Sequence, residues 1–191
     1  MIHNHNVKIL AFVGLAGSGK TTAAEYITNK GYPKVSFDNV VLETMKNRGI
    51  EDTAENEKLF REELRTINSD DFVVNIISSQ IHSLINAGQH RIIVDGLYSW
   101  TEYKALKHEF SGELTVVAVV APKKIRHRRL TARPTRPLSQ YEADQRDWSD
   151  IGDLEKGGPI AIADHFIVND NNTEKLHDQV EKVLEEIEFI S

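Results

Sequence analysis

The sequence predicts an α/β fold: a three-layer α/β/α sandwich built on a five-stranded parallel sheet, with a helical lid. Three observations predict it. Short apolar runs alternate with amphipathic stretches along the whole 191 residues. The run Leu114 to Val120 is β-branched and nearly all apolar, as a strand covered on both faces must be. The first run, Lys8 to Val13, passes through a glycine-rich turn into a helical stretch, the start of a strand–helix–strand unit.

The elements follow in order. After the strand Lys8 to Val13, a helix is expected from about Lys20 to Lys30, closed by Gly31. Lys34 to Phe37 reads as a short second strand, followed by helical stretches near Val40 to Arg48 and Glu55 to Thr66. In Asp70 to Ala87, residues Phe72, Val73, Ile76, Ile77, Ile81, Leu84 and Ile85 share one face at helical spacing, and Gly88 lies just past the end. Arg91 to Asp95 is the third strand, Trp100 to Phe110 a helix, and Leu114 to Val120 the fourth strand. Pro122 stands in the first turn of a helix carrying Arg126 to Thr131, which Pro134 and Pro137 stop. Leu138 to Trp148 is helical again, and Gly157, Gly158 and Pro159 break the chain. His165 to Val168 is the fifth strand, and Asn171 or Thr173 caps a last helix ending near Ile187. No linker divides these elements, so residues 1–191 are read as one domain.

A 40% hydrophobic content suffices for a core, and 27% charged residues suit a solvated surface. The net charge of -6 argues against general nucleic-acid binding, which depends on Lys and Arg meeting phosphates. The absence of cysteine excludes disulfides, thiolate metal sites and a catalytic thiol. The apolar run Ile9 to Val13 is too short for a membrane span or a secretory core, so a cytoplasmic protein without membrane contact is expected. The eight histidines show no zinc spacing; His3 and His5 lie near the N-terminus.

Gly14 to Thr21 matches G-x-x-x-x-G-K-[ST] without a mismatch, between a strand and a helix, the context that this phosphate-binding motif requires. At average residue usage, a chance match in this length is roughly a one-in-a-hundred event. Gly14, Gly17 and Gly19 let the loop curl so that backbone N–H groups, with those of Ala16 and Ser18, point at an anion. The helix N-terminus carrying Thr21 and Thr22 adds positive potential. Lys20 is expected to reach the β- and γ-phosphates of ATP, and the Thr21 hydroxyl to ligate Mg²⁺.

The loop alone leaves the reaction open. No N-K-x-D segment for guanine occurs, and a helicase or AAA-type motor is usually larger and works on polymers. A regulatory ATPase acting on a protein partner stays open beside a small-molecule kinase. The arginines favour the kinase: Arg126, Arg128, Arg129, Arg133, Arg136 and Arg146 lie in one stretch of an acidic chain. Phosphoryl transfer spreads negative charge that several cations in a closing flap stabilise. Arg126, Arg129 and Arg133 share one helix face, while Arg128 points elsewhere. Prolines on either side of Arg136 mark an ordered, mobile segment.

The glycine loop, the helix Arg126-x-x-Arg129-Leu130-x-x-Arg133 and the late strand Ala163-Asp164-His165-Phe166-Ile167-Val168-Asn169 together resemble dephospho-coenzyme A kinases. They also look like a related family of kinase-like P-loop proteins from archaea and bacteria whose function is undefined. Val94-Asp95-Gly96-Leu97-Tyr98-Ser99 and Arg146-Asp147 look closer to the second. The likeness runs from the loop to Asn169. It implies a P-loop NTPase of nucleoside-monophosphate-kinase-like fold, with an acceptor-binding helical region at about 39–88 and an arginine-rich lid at about 126–158. The small acceptor would be nucleotide-like, dephospho-coenzyme A or a nucleoside monophosphate. Where those kinases carry Asp-x-Asp, this chain has Asp38-Asn39-Val40, with one carboxylate.

The remaining candidates each carry two readings. Asp38, at the end of the second strand, orients or deprotonates the acceptor hydroxyl, or caps the next helix. Asp95 is a Walker-B carboxylate for Mg²⁺, or part of a tight Asp-Gly turn. Asn169, with Asp170 and Asn171, lies against adenine by the family resemblance, or serves as turn and cap. Arg61 and Arg65 read an acceptor phosphate, or pair with Glu62, Glu63 or Asp70. Tyr98, Trp100 and Tyr103 stack an acceptor base, or pack on the sheet.

Overall fold

The computed structural model describes residues 6–53, 56, 59, 60, 63, 71–97 and 99–190, except for the side chains of 71 and 72. Five strands form one parallel sheet: β1 (Lys8–Val13), β2 (Lys34–Ser36), β3 (Arg91–Asp95), β4 (Leu114–Val120) and β5 (His165–Val168). Their order is β2-β3-β1-β4-β5, so the strand carrying the glycine loop is central. The helices described are α1 (Lys20–Thr28), α2 (Phe37–Asn47), α3 (Asp71–Asn86), α4 (Trp100–Glu109), α5 (Lys123–Thr131), α6 (Gln140–Gly152), α7 (Gly157–Ala161) and α8 (Thr173–Glu186).

Side-chain alternation divides the sheet into two faces. Ile9, Ala11, Val13, Ile92, Val94, Val116 and Ala118 join one core cluster, which takes Ile77 and Ile81 from α3 and Leu106 from α4. Leu10, Phe12, Ile93, Val117 and Val119 join the other, with Ala23, Ala24 and Ile27 of α1 and Leu176, Val180 and Leu184 of α8. A strand that buries both faces has no polar side to show, which is why β1, β3 and β4 read as continuous apolar runs. Each fully buried aliphatic side chain in these clusters contributes about 1.5–3 kcal/mol. The three layers and the all-parallel sheet are as the sequence predicts.

Three boundaries differ from expectation. α2 begins at Phe37, because the Ser36 hydroxyl accepts a hydrogen bond from the Asn39 amide and caps the helix. Asp38 is therefore a first-turn residue and not the cap. Gly157 to Ala161 form the short helix α7 where a break was expected; Pro159 lies in its first turn, where no intrahelical donor is required. The last helix is capped by Asn172, whose side chain accepts from the Lys175 amide, and not by Asn171 or Thr173. Of the helix expected over 55–66, only residues 56, 59, 60 and 63 are described, and they are helical; Arg61, Arg65, Tyr98, His3, His5 and the Phe72 side chain lie outside the described residues.

Candidate functional site

The C-terminal ends of the strands converge on one edge. Ser36, Asp95 and Phe12 lie side by side across β2, β3 and β1, and Val13 faces Ala118 on β4. Between β3 and β4 the chain changes direction from β1, the crevice where open α/β sheets hold ligands. The glycine loop leaves β1 at that point and enters α1 through Gly19, which no side chain caps. The first-turn amides of a helix have no partner within it, so this end is built to receive an anion.

Close contacts hold the loop in shape. Gly17 has φ +77°, and a Cβ there would lie 2.7 Å from the Arg126 carbonyl oxygen. Gly19 has φ +102°, and a Cβ there would meet the Asn169 amide nitrogen at 2.2 Å. Gly14 is packed against Val119. The Ser18 hydroxyl is buried without a partner among the described residues. Ala16 is half-buried, and Thr21 and Thr22 are exposed on the first turn of α1.

Lys20 is half-buried and sits in the field of Asp95, Asp38, Asp150 and Arg146; burial pushes its ammonium below the usual lysine range against the pull of the carboxylates. Asp95 is 7% exposed, 3.7 Å from the Lys34 ammonium, and its Oδ1 has no partner among the described residues. Burial raises its carboxyl, with Lys20 and Lys34 opposing. It closes a buried strand rather than standing in a surface turn. An orphaned carboxylate oxygen at the end of β3, the strand beside the one that carries the loop, fits Mg²⁺, which takes few protein ligands and completes its shell with water and phosphate. Among the described residues, no group of three or more His, Asp or Glu is placed to hold a metal alone.

The arginines take different places. Arg126 is 5% exposed and makes two bonds to Asp147, of 2.6 and 2.7 Å, plus a third to the Ala16 carbonyl at 3.1 Å. It is thus a fixed brace on the loop, not the mobile lid residue expected. Beside it, His127 Nε2 lies 2.9 Å from Asp147, and its Nδ1 lies 2.8 Å from the Gln140 amide nitrogen. Because an amide nitrogen only donates, the ring proton sits on Nε2, facing the carboxylate. Arg129 donates to the Asn169 carbonyl at 3.0 Å, the Asn169 side-chain oxygen at 3.3 Å and the Asn171 carbonyl at 3.2 Å. Asn169 is 5% exposed and donates to the Ser18 carbonyl at 2.7 Å. It therefore ties β5 to the loop, a role that turn chemistry alone does not require. Arg133 lies beyond the end of α5, exposed, its guanidinium lowered by partial burial and by Arg146 nearby. Arg136 adopts φ +52° and reaches the Asp52 carboxylate at 2.8 Å, spanning from the arginine segment to the turn after α2. Arg128 is exposed, as its helix position implies.

Trp100 and Tyr103 stack on each other at 5.4 Å and 5°. A Cβ on Gly158 would lie 2.7 Å from the Trp100 ring, so this aromatic packs under α7.

Sequence reasoning missed a second charged cluster. Asp150 is fully buried and pairs with Lys156 at 2.8 Å and with the Arg146 Nε at 3.1 Å. The signal was legible in part: Ala143, Asp147 and Asp150 form the buried face of α6. That face carries no apolar period, whereas Tyr141, Trp148 and Ile151 are exposed. Nothing in the local pattern marks Lys156.

A family model described as an AAA domain matches residues 10–149. A UPF0200 protein from Thermococcus gammatolerans is 30% identical over 182 residues, covering 94% of this chain and 95% of that protein. Another, from Pyrobaculum aerophilum, is 32% identical over 190 residues, covering 95% and 99%. The chain belongs to the UPF0200 family and carries an AAA-type P-loop domain. The backbone of this UPF0200 protein is similar to shikimate kinase from Bacteroides thetaiotaomicron (TM-score 0.60, 13% identity, 95% of this chain and 98% of that one). It is also similar to a gluconokinase from Sinorhizobium meliloti (TM-score 0.58, 15% identity, 97% of each). Those likenesses show the fold: the UPF0200 chain has the architecture of small-molecule P-loop kinases, as its motifs imply. The AAA description covers the P-loop domain of a family whose members here are about the length of this chain. Among the described residues, no helix is long and apolar enough to cross a membrane.

Proposed function

We propose that this protein transfers the γ-phosphoryl group of Mg-ATP to a small, nucleotide-like acceptor, of the dephospho-coenzyme A or nucleoside monophosphate class. One observation carries the reading: the loop lysine, Lys20, lies in the joint field of two carboxylates, Asp95 at the end of β3 and Asp38 in the first turn of the helix that follows the adjoining β2. A donor cradle and an acceptor-facing acid are then neighbours. In this reading, loop amides of Gly14 to Thr22 and Lys20 hold the triphosphate. Thr21 and Asp95 would hold Mg²⁺, which would supply positive charge against the triphosphate. Asp38, half-buried in the first turn of α2, orients the acceptor hydroxyl. Arg133 and Arg136, on the exposed segment after α5, meet the charge that develops on the transferred group. Arg126, Arg129 and Asn169 keep the loop in shape for that work. The helical region at 39–88 is assigned to the acceptor, and the part of 126–158 that follows the fixed Arg126 and Arg129 to the lid.

A nucleotide-dependent switch acting on a protein partner is the second reading. It draws on Tyr141, Trp148 and Ile151, 72%, 66% and 49% exposed along α6. The test is phosphate transfer against phosphate release, with dephospho-coenzyme A, AMP, CMP and UMP as acceptors. The kinase reading expects ADP to form in proportion to one phosphorylated acceptor. ADP formation indifferent to every acceptor, with a bound protein partner, overturns it. Lys20→Ala should weaken ATP binding at least about tenfold, ~1.4 kcal/mol.

A further inference from the structure

Lys34 opens β2, an edge strand of the sheet. A lysine there has water within easy reach of its ammonium. Lys34 instead reaches across to the next strand: its ammonium lies 3.7 Å from Asp95 Oδ2, and its side chain is 23% exposed. The register explains the reach. Lys34 stands opposite Ile93, and Ser36 opposite Asp95. Side chains two residues apart on a strand share a face. Lys34 and Asp95 are therefore diagonal neighbours on one face, about 7–8 Å apart and within range of a long side chain. Ser36, directly opposite Asp95, accepts from the Asn39 amide and caps α2.

The same face leads to the phosphate loop. Ile93 and Phe12, the β1 residue opposite Asp95, both pack with Ala23, Ala24 and Ile27 of α1. Asp95 thus stands on the side of the sheet that α1 covers, the helix that begins with Lys20 and Thr21. Its two carboxylate oxygens are unlike. Oδ2 meets the cation from β2, whereas Oδ1 is buried with no partner among the described residues. A carboxylate held by one oxygen is fixed in rotation and offers the other. Groups that hold a ligating side chain from behind in this way account for roughly 10–100-fold in metal affinity.

Resting on the kinase reading above, we infer that Lys34 is a positioning residue for Mg²⁺: it holds Asp95 Oδ2 so that Oδ1 is left for the metal. Lys20 is assigned to the phosphates in that reading, so Lys34 is the cation that stays with Asp95 once nucleotide is bound. A lysine that only guards the free edge of β2 against pairing with another chain would have no bearing on the metal.

The test measures the affinity for a non-hydrolysable ATP analogue by calorimetry, with Mg²⁺ and again with EDTA. The ratio of the two affinities is the gain that magnesium confers, and a distorted loop lowers both affinities without moving that ratio. The inference expects Lys34→Met to cut the gain about tenfold while the metal-free affinity stays within about twofold. Lys34→Arg, which keeps charge and reach, should hold the gain. Asp95→Asn should remove it, and adding Lys34→Met to Asp95→Asn should then change nothing more. If Lys34→Met does not fold, Lys34→Gln, neutral but polar, replaces it with the same expectation. An undiminished gain in the folded neutral variant overturns the inference, and so does an equal loss of gain in Lys34→Arg. If the unaltered chain binds no analogue, or shows no magnesium gain that Asp95→Asn removes, the metal assignment of the kinase reading falls and this inference with it. If Asp95→Asn removes the gain and Lys34→Met does not, only this inference falls.

Discussion

Arg126 and Asp147 face each other through two parallel N–H···O bonds of 2.6 and 2.7 Å, almost out of reach of solvent. Removing the carboxylate strands a buried guanidinium. Asp147→Ala should therefore lower folding stability by about 3 kcal/mol, read by urea denaturation. Because Arg126 also donates to Ala16 of the loop, nucleotide affinity should fall with it.

The same pair sets an acid dependence. Burial raises the Asp147 carboxyl, but its bonds from Arg126 and His127 outweigh that and hold it below the usual range. A depressed carboxylate contributes stability above its unfolded value, near 3.9, and loses it as pH falls through the folded value. As pH falls below about 4, the unaltered chain should lose stability more steeply than Asp147→Asn, as denaturation midpoints measured on the acid side of that value would show.

Gly19 and Asn169 test the loop from its other side. A methyl at Gly19 meets the Asn169 amide nitrogen at 2.2 Å, and that amide is already engaged with Ser18 and Arg129. Gly19→Ala also places a side chain at φ +102°. It should cost about 1–3 kcal/mol of stability and weaken ATP binding. Asn169→Ala should weaken ATP binding with a smaller stability loss, about 1 kcal/mol, which thermal melts and calorimetry separate.

Asp38 lies in the first turn of a helix capped by Ser36, so its carboxylate is not needed for capping. Asp38→Asn should reduce turnover about a hundredfold or more while leaving ATP affinity nearly intact. Steady-state kinetics with equilibrium binding decide it; unchanged turnover removes Asp38 from the reaction.

Arg136 pairs with Asp52 where both are exposed, 48% and 60% at the side chain. Such pairs contribute roughly 0–1 kcal/mol, so Arg136→Ala should leave the melting temperature almost unmoved. Its turnover should nevertheless drop about tenfold or more if the guanidinium meets the transferred phosphoryl. Equal turnover in the two chains would leave Arg136 a surface contact.

The sheet was legible because β1, β3 and β4 bury both faces and so read as uninterrupted apolar runs. The phosphate loop was legible because its chemistry is local, eight consecutive residues between a strand and a helix. What escaped is non-local. Lys156 finds Asp150 only because α7 folds back on α6, and Asn169 finds Ser18 across 151 residues. Ser36 displaced Asp38 as cap because the helix started one turn earlier than its apolar pattern, beginning at Val40, implied. The arginine spacing identified a shared face but not its direction: Arg126 turns inward to Asp147 and Ala16, and Arg133 lies past the helix end.

The segment after α5 is tied at its neck. The Leu138 amide donates to the Leu130 carbonyl at 3.2 Å, and the Thr131 hydroxyl donates to the Leu138 carbonyl at 3.0 Å. Residues 131–138 therefore form a tab with a pinned base, while Arg126 and Arg129 upstream are bolted to the sheet edge. Any swing that carries Arg133 and Arg136 toward a ligand must pivot at Leu130–Thr131, and both guanidinium groups must travel together.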